Sequence, residues 1–190
     1  GASLVKYGNN SVRVNDSYNT YSVSTLSQGV TDYDQNAIYF AWNAVLESSH
    51  YLTNSDYFSL TLRDDDTGIN LISRAYSSAG AIGGGAQGVT WTTYYYGTWY
   101  SSGWVEESID LTTAGVGGSS VVGHDLTLTL LASDCPYGGH AGYVYLDGFG
   151  RTKGCSVLDG GPAAAPEPAS LALFGLGLVG LGVARRRKAA

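Results

Sequence analysis

The sequence predicts an all-β chain: an antiparallel β-sandwich of jelly-roll type, followed by a linker and one short C-terminal transmembrane helix. Three observations predict it. Apolar and polar side chains alternate with period two in run after run, and no long segment before residue 169 shows a helical period. The composition favours strands and turns, with 15 Tyr, 27 Gly and no Met. Turn clusters separate the alternating runs at the short spacing of sandwiches and barrels.

The elements follow in order. Leu4–Tyr7, Val12–Val14 and Tyr18–Val23 read as weak strands, separated by Gly8-Asn9-Asn10 and Asn15-Asp16. Ala37–Trp42 is apolar on both faces and reads as a central strand. Phe58–Arg63 alternates cleanly; the acidic turn Asp64-Asp65-Asp66-Thr67-Gly68 leads to a strand over Ile69–Arg74. Gly83-Gly84-Gly85 precedes a strand over Val89–Tyr96. Val105–Leu111 alternates less cleanly and sends Glu106 and Glu107 to opposite faces. After Gly117-Gly118 comes Asp125–Leu130, and after Gly138-Gly139 comes Tyr143–Phe149. In that last strand Tyr143, Tyr145 and Asp147 share one face, while Val144 and Leu146 share the other. The boundaries are therefore a sandwich over 1–159, a small-residue linker over 160–168, a helix over 169–184 and a basic tail over 185–190.

The tail has three parts in a fixed order. Pro166-Glu167-Pro168 comes first, then the uncharged run Ala169–Ala184, then Arg185-Arg186-Arg187-Lys188. As a helix the run would span roughly 24 Å, short of a bilayer core of about 30 Å, a gap that thinning or arginine snorkelling closes. The basic cluster belongs on the cytoplasmic side, which puts residues 1–165 across the membrane. This order resembles the PEP-CTERM sorting signal of exported proteins in Gram-negative bacteria that make extracellular polysaccharide. The resemblance implies recognition by exosortase and removal of the tail near the Pro-Glu-Pro motif. The membrane contact is then an inner-membrane intermediate, and the product ends at the cell surface or in the extracellular matrix. Gly1-Ala2-Ser3 suits a chain whose signal peptide has been removed.

Residues 1–165 hold six basic and fifteen acidic side chains, a net charge of −9. Such a surface repels phosphate backbones, so nucleic acid is excluded as a partner. Cys135 and Cys155 are the only cysteines, and outside the cytoplasm a pair is most simply a disulfide. In a plain hairpin the two positions fall at opposite ends, so the bridge needs a flanking loop to double back.

A second resemblance lies in the stretch Gly138-Gly139-His140-Ala141-Gly142-Tyr143-Val144-Tyr145-Leu146-Asp147. It is similar to the last strand pair of jelly-roll domains in secreted bacterial proteins. Ala44–Glu47, His50, Phe58–Leu60 and Asp64 look like an earlier strand pair of the same domain type. The resemblance spans about residues 37–155, implies a fold rather than a chemistry, and accommodates Cys155 as a bridge partner.

Four constellations invite chemistry. His140 and Asp147 are an imidazole and a carboxylate near one strand, but no nucleophile elbow accompanies them. A structural role is expected: His140 at a glycine turn, Asp147 accepting backbone hydrogen bonds. Glu106 and Glu107 point apart and cannot be a glycosidase pair. Asp64, Asp65 and Asp66 gather hard oxygen ligands in one loop, a weak Ca²⁺ candidate beside the plainer expectation of a solvated turn. The block Trp91, Tyr95, Trp99, Tyr100, Trp104 is either a core cluster or a strip of exposed rings that stack on sugars.

The expected role is that of a non-catalytic surface or matrix protein associating with exopolysaccharide. Self-association through strand edges is the alternative. A secreted glycan hydrolase ranks third.

Overall fold

The computed structural model describes residues 4–48, 54–79 and 89–151. The linker, the apolar run 169–184, the sorting residues Pro166, Glu167, Pro168, Arg185, Arg186 and Arg187, and Cys155 lie outside the described residues. No helix among the described residues is long and apolar enough to cross a membrane.

Among the described residues ten strands form two antiparallel sheets. In chain order they are β1 (Val12–Val14), β2 (Val23–Val30), β3 (Ala37–Glu47), β4 (Tyr57–Asp64) and β5 (Asn70–Ser77). Then come β6 (Thr92–Tyr94), β7 (Trp99–Ser101), β8 (Val105–Asp110), β9 (Leu126–Ser133) and β10 (Gly142–Arg151). The first sheet runs β1-β10-β3-β7-β6, with β8 also paired to β3; the second runs β2-β9-β4-β5. The sandwich expected from the period-two pattern is thus the observed fold.

The core lies between the sheets. From β3 it takes Ile38, Phe40, Trp42, Ala44 and Leu46; from β4, Phe58, Leu60 and Leu62; from β9, Leu126, Leu128 and Leu130. Trp42 is fully buried, 4.9 Å from the Phe58 ring and 5.3 Å from Tyr76, which stacks on Phe58 at 5.1 Å. The other face of β3 is covered too: Ala41, Asn43 and Val45 are buried. This is why β3 reads as apolar on both faces.

One ion pair bridges the layers. Glu107 of β8 turns inward and accepts from Arg74 of β5 at 3.2 and 3.3 Å and from the Trp42 indole at 3.2 Å. Glu106 points outward to Lys6 at 2.7 Å, as alternation requires. Three expected strands change. Leu4–Tyr7 forms no strand; instead the Lys6 and Tyr7 amides donate to Asp147 at 2.9 and 2.8 Å. The Tyr18–Val23 strand begins only at Val23, because the Thr20 and Ser22 amides donate to buried Asp134. Val89–Tyr96 shrinks to Thr92–Tyr94, since Tyr95 and Tyr96 take φ of 50° and 57° and turn the chain.

Candidate functional site

The outer face of the first sheet carries a row of aromatic rings. Register puts it there. Leu46 and Trp42 point to the core, so their β3 neighbours Val45 and Asn43 point outward, and their cross-strand partners follow them. Tyr143 pairs with Val45, Tyr145 with Asn43, and Trp99 with Glu47. The Trp99 ring lies 6.0 Å from Tyr143, Tyr143 lies 5.7 Å from Tyr145, and Tyr145 lies 6.5 Å from Trp104. Trp99, Tyr143 and Trp104 are half-buried, and Tyr145 sits deeper between them. The Arg13 guanidinium of β1 lies 5.7 Å from the Tyr143 ring, a cation–π contact.

A polar frame holds the row. Buried Asn43 accepts from the Ser101 hydroxyl at 3.2 Å. Glu47 accepts from the Ala141 amide at 2.9 Å. Asp147 ties down the segment around Lys6 and Tyr7 and therefore accepts backbone hydrogen bonds, as expected of it. The Glu106 hydrogen bond holds the Lys6 amine above the ordinary lysine value. At one end, Tyr95 and Tyr96 project from the β6–β7 turn with 70% and 97% of their surface exposed.

The five rings of the sequence block divide. Trp99, Trp104 and Tyr95 reach the surface. Trp91 and Tyr100 do not: both are in the core, Trp91 against Tyr76 at 5.8 Å and Tyr100 in register with inward-facing Leu46. These two are corrected from binding candidates to packing residues. Trp99 and Tyr100 are neighbours on one short strand, so they must face opposite ways. The structure adds Tyr143 and Tyr145, whose shared face was visible in the period-two pattern, and Arg13, which no sequence pattern marked.

The acidic turn is built as a hydrogen-bonded loop. Asp64 is fully buried; it accepts from the Asp66 amide at 3.1 Å, from the Thr67 hydroxyl, and from His124 Nδ1 at 3.0 Å to each oxygen. Burial alone would raise this carboxyl, but the hydrogen bonds from Thr67 and His124 outweigh it and hold it below the ordinary value. Asp65 turns away and accepts from Thr127 at 2.6 Å. The grouping with ligand atoms within 4.8 Å of one another is therefore Asp64, Asp66 and His124, not the three aspartates. Three donors already satisfy Asp64, and the trio falls short of the roughly six to eight oxygens that Ca²⁺ takes.

Two other acidic or thiol groups are buried. Asp56 has one oxygen accepting from the Glu47 amide at 2.9 Å and one without a hydrogen-bond partner among the described residues. Burial pushes its carboxyl up to about 8, against the lowering effect of hydrogen bonds from Ser78 and Glu47. Cys135 is a buried thiol whose Sγ donates to the Asn54 carbonyl at 3.0 Å; the bridge expected with Cys155 involves a residue outside those described.

The molecule is a β-sandwich with an aromatic row on one outer sheet face and a separate C-terminal segment. That segment matches the PEP-CTERM protein-sorting motif over residues 164–188, so the chain carries this sorting motif. No curated protein matches the chain. Among solved structures, the chain is similar to a non-crystalline cellulose specific carbohydrate-binding module, CBM28. The identity is 12%, with 75% of this chain and 74% of that one covered, at a TM-score of 0.39. It is also similar to Caldicellulosiruptor saccharolyticus CBM27-1, solved in complex with mannohexaose. Here the identity is 12%, with 73% and 72% covered, at a TM-score of 0.37. Likenesses this distant carry no statement about what the chain binds.

Proposed function

We propose that this is an exported, exosortase-processed surface or matrix protein of a Gram-negative bacterium, and that the outer face of its first sheet binds extracellular polysaccharide without catalysis. The observation that carries the binding reading is the row Trp99–Tyr143–Tyr145–Trp104, four rings in sequence on one rigid sheet face. Sugar rings present apolar C–H faces that stack on such surfaces, while indole N–H groups donate, and tyrosine hydroxyls donate or accept, hydrogen bonds at the edges. Three of the four rings sit on paired strands and Trp104 directly precedes β8, so the row is largely pre-organised and loses little freedom on binding. The sorting motif supports an extracellular setting where polysaccharide is at hand. Processing near Pro166-Glu167-Pro168 then leaves the sandwich without its apolar run.

The non-catalytic reading is supported by what the acidic groups near the row do. Asp147 and Glu47 accept backbone amides, and Glu106 pairs with Lys6. Each is committed to holding the face together.

The test is affinity electrophoresis of the protein in gels containing the source organism's polysaccharide. Trp99→Ala and Tyr143→Ala should each weaken binding about tenfold, equivalent to about 1.4 kcal/mol. Tyr137→Ala removes a ring that is 70% exposed on the loop between β9 and β10, and should change nothing. Equal loss in all three, or no retardation of the wild type, contradicts the assignment.

A further inference from the structure

We infer that β2 is a pairing edge for a second copy of this chain. Among the described residues five strands end a sheet, and four carry safeguards against edge-to-edge pairing. β1 has three residues, one of them Arg13, and β6 has three residues before the chain turns away at Tyr95 and Tyr96. β8 carries Glu106, Glu107 and Asp110, and β5 carries Arg74 turned inward to Glu107. β2 has none of these. It runs eight residues, Val23-Ser24-Thr25-Leu26-Ser27-Gln28-Gly29-Val30, with no charge and no proline. It pairs with β9 along its whole length without a register shift. Val23, Thr25, Ser27, Gln28 and Gly29 are exposed, and no backbone hydrogen bond to the far side of β2 exists among the described residues.

The side chains of the strand itself select the occupant. The chain is acidic, with a formal net charge of −6, so two copies repel where charged edges meet. At β2 no charge meets a charge. A two-fold register centred on Leu26 keeps the core faces of both copies on the same side, because Leu26 and Val30 pack inward. It sets Thr25 opposite Ser27 and Ser24 opposite Gln28, and a strand of the same Ser, Thr and Gln side chains suits both positions. Two four-stranded sheets then become one continuous sheet. This inference is independent of the polysaccharide reading.

Sedimentation velocity of the full chain in a mild non-ionic detergent tests it, since the detergent disperses the apolar tail that every variant shares. The wild type should shift from monomer to dimer with concentration. Thr25→Lys/Ser27→Lys, which sets lysines opposite one another across the axis, should stay monomeric with its near-ultraviolet circular dichroism intact. Ser73→Lys, on the exposed face of β5, should dimerise like the wild type. A wild type that is monomeric throughout, or a double variant that associates equally, overturns the proposal. Should the double variant misfold, hydrogen exchange of the wild type decides. Protection of the β2 amides that rises with concentration supports pairing, and protection independent of concentration overturns it.

Discussion

At the scale of single residues, two buried aspartates set opposite pH dependences. Asp56 has a folded value of about 8 against an ordinary 3.8, so the folded protein binds the extra proton between those values. Its contribution to stability then falls as pH rises from about 4 to about 8 and levels off above that. Asp64 is shifted down, so its contribution is present above the ordinary carboxylate value and is lost as pH falls through its folded value. The contributions of these two groups therefore run in opposite directions with pH. Urea denaturation across pH checks this: Asp56→Asn should flatten the decline between about pH 4 and pH 8. Asp64→Ala should lose about 1–3 kcal/mol at neutral pH, because Thr67 and His124 lose their acceptor. The alternation that put Tyr143, Tyr145 and Asp147 on one face was legible in the sequence. The buried state of Asp56 was not, because nothing local distinguishes it from a surface aspartate; its environment is made by Glu47 and Ser78. Nor was the splitting of Trp99 from Tyr100, which depends on a three-residue strand that adjacent glycines and serines disguise as loop.

At the scale of elements, the strands with strong apolar alternation were legible and those without it were not. β4 carries Phe58, Leu60 and Leu62 and β9 carries Leu126, Leu128 and Leu130 at alternate positions, so their faces could be read directly. β2 has only Val23, Leu26 and Val30 among small polar residues, and its pairing to β9 is what makes it a strand. The expected strand at Leu4–Tyr7 fails because its amides find the Asp147 carboxylate instead of a ladder partner. Two substitutions probe how the elements hold together. Leu130→Ala, at a fully buried position of β9, should cost about 2–5 kcal/mol. Glu107→Ala should cost about 2 kcal/mol, since it strips both Arg74 and the Trp42 indole of their acceptor at the sheet interface. Both are read from urea midpoints at constant slope.

At the scale of the whole molecule, the chain divides its tasks. The C-terminal motif addresses the protein, and its three-part order was legible because each part does one physical job: proline punctuation, an apolar run, a positive stop. Replacing Pro166-Glu167-Pro168 by alanines should leave the tail attached, seen as a larger product that remains with the membrane fraction. The sandwich supplies a face whose rings come from β7 and the loop before β8 on one side and from β10, distant in sequence, on the other. That is why the block between Trp91 and Trp104 showed only half of the face. In the proposed function this face, and not the core, meets the polysaccharide. Fluorine NMR of the protein labelled with 5-fluorotryptophan tests it directly, since the chain has four tryptophans, two buried at positions 42 and 91 and two on the face at 99 and 104. With polysaccharide added, the resonances assigned to Trp99 and Trp104 by phenylalanine substitution should shift or broaden, while those of Trp42 and Trp91 stay in place. Four unchanged resonances at saturating polysaccharide, or changes confined to Trp42 and Trp91, would contradict it.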